Sequence, residues 1–149
     1  MKRNYITMII LSIFLGAVAG RGIYKYMEEN DNVKYNSYII EYGVYEDANS
    51  AKAASLEVDR STIVYKDNLY YVYVGISTTY DNAKKIEAAF NEQDIDVTIE
   101  ETIIDNVEFI SNLEQYDVLL GSVSSNKDVM SITDVILSTF EEIVIQEGN

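Results

Sequence analysis

Thr62-Ile63-Val64-Tyr65-Lys66-Asp67-Asn68-Leu69-Tyr70-Tyr71-Val72-Tyr73-Val74-Gly75-Ile76 lies near the middle of the chain and decides how the rest is read. Two runs of β-branched and aromatic residues flank Asp67 and Asn68, residue types that tolerate positive φ. That pattern predicts strands over 62–66 and 69–76 joined by a two-residue hairpin turn. On the N-terminal side, residues 37–45 (SYIIEYGVY) have strand composition. Residues 47–58 carry Ala48, Ala51, Ala54 and Leu56 and predict a helix with Asp47 or Asn49 as its cap. On the C-terminal side, Ala83, Ile86, Ala89 and Phe90 recur at helical spacing within 77–93. Residues 96–104 then alternate Val97 and Ile99 with Thr98 and Glu100 and predict a fourth strand.

The two sides of the hairpin repeat each other. Tyr42-Gly43-Val44 returns as Val74-Gly75-Ile76, and each glycine is followed eight residues later by an alanine, Ala51 or Ala83. Strand, glycine, short loop and helix recur as a unit, so the order is β-α-β-β-α-β. This predicts an α+β protein of ferredoxin-like or RNP-like type, with a four-stranded antiparallel sheet, helices on one face and the other face open. Alternation turns Tyr70, Val72 and Val74, with Ile40 and Tyr42, toward the helices. It turns Tyr71, Tyr73, Ile39 and Glu41 outward. The candidate binding platform is therefore Ile39, Glu41, Tyr71 and Tyr73, with Val44 at its edge. Glu41 and Tyr73 each stand two residues before the repeat glycine. A tyrosine ring offers an apolar face to sugar C–H groups while its hydroxyl still bonds, although tyrosine is also a common strand former. Gly43 and Gly75 mark a bulge or a close backbone approach.

These residues carry a family resemblance. Residues 38–45 resemble the first strand of the SPOR (sporulation-related repeat) domain, with its V-Q-x-G-x-F pattern, and Leu69–Ser77 resembles its third strand. The resemblance covers 37–104. It implies a bitopic envelope protein that binds peptidoglycan glycan strands stripped of stem peptides, at division septa or during sporulation. Glu41 stands where the family usually has Gln, Tyr71 where Arg is common, and Ile76-Ser77 where Pro-Phe is usual. A carboxylate accepts sugar hydroxyls but does not donate as an amide does. A second reading follows from that difference: an envelope protein-interaction domain that keeps the fold and not the glycan site.

The ends of the chain extend this picture. Lys2 and Arg3 precede 16 uncharged residues, 5–20. We read residues 1–27 as a signal anchor, with Arg21 and Lys25 able to snorkel and the following chain outside the cytoplasm. Ala17-Val18-Ala19 offers the alternative of a cleaved signal peptide. Residues 28–36 read as a polar linker. Beyond the SPOR-like region, 105–149 form a helical extension. Phe109, Leu113, Tyr116 and Leu120 make one apolar stripe; Val129, Ile132, Val135, Ile136, Phe140, Ile143 and Val144 make another. The pair covers an edge of the domain or, alternatively, meets envelope or septal proteins.

Composition narrows function. The net charge is −14, and the region after Met27 holds all 25 acids against seven bases, a charge of −18. Such a surface repels phosphate backbones, so nucleic acid is not an expected partner; an RNP-like Lys/Arg-Gly-Phe strand is also missing. The absence of Cys and His removes thiolate nucleophiles, Cys/His zinc sites and imidazole catalysis. No calcium-loop spacing and no paired-carboxylate constellation stands out. The expectation is a binding module with no cofactor or metal, and not an enzyme.

Overall fold

Asp67 and Asn68 adopt φ of 53° and 63°, and around this tight turn the sheet is laid out. The computed structural model describes residues 35–145. In chain order these form β1 (Tyr35–Tyr45), α1 (Ala48–Ser55), β2 (Thr62–Lys66), β3 (Leu69–Ser77), α2 (Tyr80–Asn91), β4 (Thr98–Ile104), α3 (Val107–Ser122) and α4 (Asn126–Phe140), ending in a π-helical turn (Glu141–Ile145). The strands form one antiparallel sheet in the order β2-β3-β1-β4. This is the α+β arrangement with a four-stranded antiparallel sheet expected from the sequence.

Local chemistry sets the element ends. The Asp47 carboxylate accepts from the Ser50 N–H at 2.8 Å and caps α1. Thr79 caps α2, Asn106 caps α3 and Ser125 caps α4 in the same way. After α2 the chain turns through Asp94 at φ 58°, and the Ile95 N–H returns to the Phe90 carbonyl at 3.1 Å. The ladder with β1 ends where Thr98 faces Glu41, next to Tyr42, an extra residue in the β1–β3 pairing, so β4 starts at Thr98 rather than at residue 96. The polar linker is also shorter than expected. Tyr35 and Asn36 already belong to β1, where they pair with Ile104 and Ile103. The expected anchor (1–27), the rest of the linker and residues 146–149 lie outside the described residues. Among the described residues, no helix is long and apolar enough to cross a membrane.

One irregularity governs the faces of the sheet. Ile40 pairs with Gly75 and Glu41 with Tyr73, leaving Val74 as an extra residue; Gly43 then pairs with Val72, leaving Tyr42 extra. Both extra residues precede a repeat glycine. The strands bulge together, and alternation resumes on the other side of the bulge with its phase changed. Val44 thereby shares a face with Glu41 and Ile39.

Gly75 packs under the helices. A Cβ there would meet Ile86 Cγ2 at 3.0 Å and Thr133 Cγ2 and Ile40 Cδ1 at 3.3 Å. The pairing of β2 stops at Tyr73, so Val74–Ser77 have no β2 neighbour, and α4 packs on β3. Residues 72–77 of β3 are all buried. A single apolar cluster runs from Ile39 on β1 to Ile143 in the terminal turn. The C-terminal helices therefore share one core with the sheet.

α3 is fastened at a second place. Asp117 is buried, and its carboxylate accepts from Ser77 Oγ (2.5 Å), the Thr78 N–H (2.7 Å), Thr78 Oγ1 (2.6 Å) and Asn82 Nδ2 (3.0 Å). These donors come from the β3–α2 junction, so a single side chain ties α3 to both elements. Lys85 Nζ adds bonds to the Leu120 and Val123 carbonyls at the end of α3.

Candidate functional site

The face of the sheet opposite α1 and α2 carries two adjoining hollows. One, of about 320 Å³, is lined by Ile39, Glu41, Val44, Tyr71 and Tyr73 together with Lys66, Glu100, Glu101 and Thr102. All five residues of the platform expected from the sequence are thus brought together. The other hollow, of about 450 Å³, shares Ile39, Lys66, Tyr73 and Thr102 with the first. It continues over Val64 and Ile104 to Phe140 at the end of α4 and to Ile143 and Val144 of the terminal turn. Together they form a groove that crosses all four strands.

The groove differs from an open platform in one respect. Tyr73 is 4% exposed and Ile39 5% exposed, where alternation alone places both in solvent. The cause is tertiary. The Phe140 ring lies 6.5 Å from the Tyr73 ring and 5.2 Å from that of Phe109, so the end of α4 covers this half of the face. Tyr71 stays half-buried, and Val44 is 42% exposed. The accessible aromatic floor is therefore Tyr71, with Tyr73 beneath and beside it at a ring separation of 6.1 Å.

Charge in the groove is mixed. Lys66 Nζ sits 5.0 Å from the centre of the Tyr71 ring, a cation–π contact at the rim. Glu41 is half-buried beside Glu100. Burial chiefly, and the Glu100 charge in addition, raise its pKa above the ordinary 4.5, while Lys66 opposes the rise. Burial, with smaller contributions from Glu41 and Tyr71, pushes the Tyr73 phenol up to about 12, so it keeps its proton. The groove thus offers carboxylate acceptors, a phenolic hydroxyl and one ammonium around an apolar floor. Among the described residues, no group of three or more acidic side chains is placed to hold a metal ion.

Lys66, Glu100, Thr102 and the terminal turn are groove residues that the sequence reading did not single out. Lys66 was within reach. The two-residue turn fixes the hairpin register, which pairs Val64 with Tyr71 and puts Lys66, two residues on, over the same face. Glu100 and Thr102 depend on how β4 registers against β1, and Phe140, Ile143 and Val144 on the docking of a distant helix. No local pattern carries either.

No family model and no curated protein matches the chain. Among solved structures it is similar to the solution structure of the peptidoglycan binding domain of the B. subtilis cell wall lytic enzyme CwlC. The identity is 21% and the TM-score 0.40, over 49% of this chain and 98% of that one. What that domain binds is a property of that domain.

Proposed function

We propose that the groove binds peptidoglycan glycan strands, and that residues 1–27 hold the domain at the outer side of the cell membrane for a role in division or sporulation. The role is binding rather than catalysis. The observation that carries this reading is a groove crossing four strands with tyrosines in its floor and carboxylates on its rim. Pyranose rings present C–H faces to aromatic rings and hydroxyls to carboxylates. The SPOR-like pattern of β1 and β3 supports the same ligand class.

The test is retention of the full chain, in detergent, on purified cell-wall sacculi before and after an amidase removes the stem peptides. Retention is expected to rise after stripping. Tyr71→Ala is expected to weaken it on the order of tenfold. Tyr71 is the right probe because it is half-buried, whereas truncating Tyr73 would open the core. Absence of retention at low salt in both preparations sinks the reading. The burial of Ile39 and Tyr73 favours a second reading in that event: an envelope protein-interaction domain that keeps the fold without glycan binding.

A further inference from the structure

We infer that the C-terminal turn is part of the ligand site, with Ile143 and Val144 forming an apolar wall of the groove and Glu141 acting as the residue that positions it. The inference rests on the glycan-binding reading and adds to it residues well outside the repeat. Three observations carry it.

The first is continuity. The hollow bounded by Phe140, Ile143 and Val144 shares Ile39, Lys66, Tyr73 and Thr102 with the hollow that holds Glu41 and Tyr71. A chain of sugars lying over Tyr71 and following the groove across the strands runs alongside the turn. The second is chemistry. The groove is polar where Glu41, Glu100 and Lys66 stand, whereas the hollow along the turn joins the apolar Phe140, Ile143 and Val144 to a lining that also includes Asp105 and Asn106. An amphipathic sugar can place hydroxyls toward the former and a C–H face toward the latter. The third is attachment. Glu141, the first residue of the turn, accepts from Arg60 at 2.7 Å and from Thr62 Oγ1 at 2.7 Å. Thr62 opens β2 and pairs with Tyr73, so this carboxylate ties the wall to the strand next to the groove floor.

Titration of soluble, peptide-free glycan fragments into the full chain tests the inference, with thermal melting recorded alongside. Val144 is half-buried, so Val144→Ser shortens the wall at little cost to folding. It is expected to weaken binding roughly fivefold; because Val144 also packs against the core, the melting temperature falls by a few degrees while cooperative unfolding is kept. Glu141→Gln is expected to weaken binding in the same direction, and Glu141→Asp, which keeps the charged acceptor for Arg60 and Thr62, to recover part of the loss. Val118→Ser, at a position 73% exposed on α3, is the control that leaves binding unchanged. Wild-type binding that survives both Val144→Ser and Glu141→Gln overturns this inference and leaves the glycan reading standing. Failure of the wild-type chain to bind any fragment overturns both.

Discussion

A methyl group added at Gly75 would meet three branched apolar or Thr side chains, Ile86, Ile40 and Thr133, all fully buried and none with room to retreat. Gly75→Ala is expected to cost about 1–3 kcal/mol in urea denaturation. Gly43 occupies the matching place in the repeat, and a methyl there would first meet the Tyr45 ring at 2.6–2.9 Å, closer than any contact at Gly75, but with the far end of a side chain that can swing aside at the half-buried end of β1. Gly43→Ala is expected to stay within about 0.5 kcal/mol of wild type. Glu41 gives a pH-dependent case. Its raised pKa means that the folded protein holds the proton more tightly than the unfolded chain, so stability falls as pH rises from the ordinary 4.5 through the raised value. Glu41→Gln removes this penalty. The variant should be modestly more stable than wild type at pH 7, and the difference should shrink to nothing well below pH 4.5; denaturant midpoints across that range decide it. At this scale the facing of Ile39, Glu41, Tyr71 and Tyr73 was legible, because a period of two is a local property of a strand. The burial of Tyr73 was not, since the ring that covers it comes from residue 140.

Elements were the most legible level. Helical spacing, cap residues and the Asp67-Asn68 turn each act within a few positions, and each element lies where those signals placed it, to within a few residues at its ends. The paired extra residues in β1 and β3 were legible only as a suspicion attached to two glycines. Side-chain pattern does not say which residue of a strand will go unpaired. Asp117 was invisible. It is one carboxylate among 25 acidic residues, and its role depends on α3 arriving at the β3–α2 junction. Asp117→Ala strips four hydrogen bonds from that junction and leaves buried donors unmet. It is expected to cost about 3 kcal/mol in thermal or chemical unfolding. Asp117→Asn should fare little better, because in either orientation its NH2 group replaces an acceptor, facing Thr78 or else Ser77 and Asn82. Recovery of full stability in that variant would show that the clamp is electrostatically indifferent.

Over the whole molecule, the repeat predicts a self-sufficient sheet with two helices, and the C-terminal pair reads as an addition. Physically the two are one body, because β2 is only five residues long and leaves the far half of β3 for α4 to cover. A chain ending at residue 105 would leave Ile39, Tyr73 and Ile76 without their cover. It is expected to lose cooperative unfolding and to bind a hydrophobic dye; a sharp, reversible melt from that fragment would contradict the shared core. The bulge has a consequence for the groove as well. Glu41 and Tyr73 are equivalent in the repeat and are also partners across the strands, so an approximate two-fold axis passes between them. The backbone on either side of that axis is alike, while the side chains are a carboxylate and a phenol. A polymer with distinguishable ends, laid over this point, meets different chemistry when it is turned round, so the site has a built-in sense of direction.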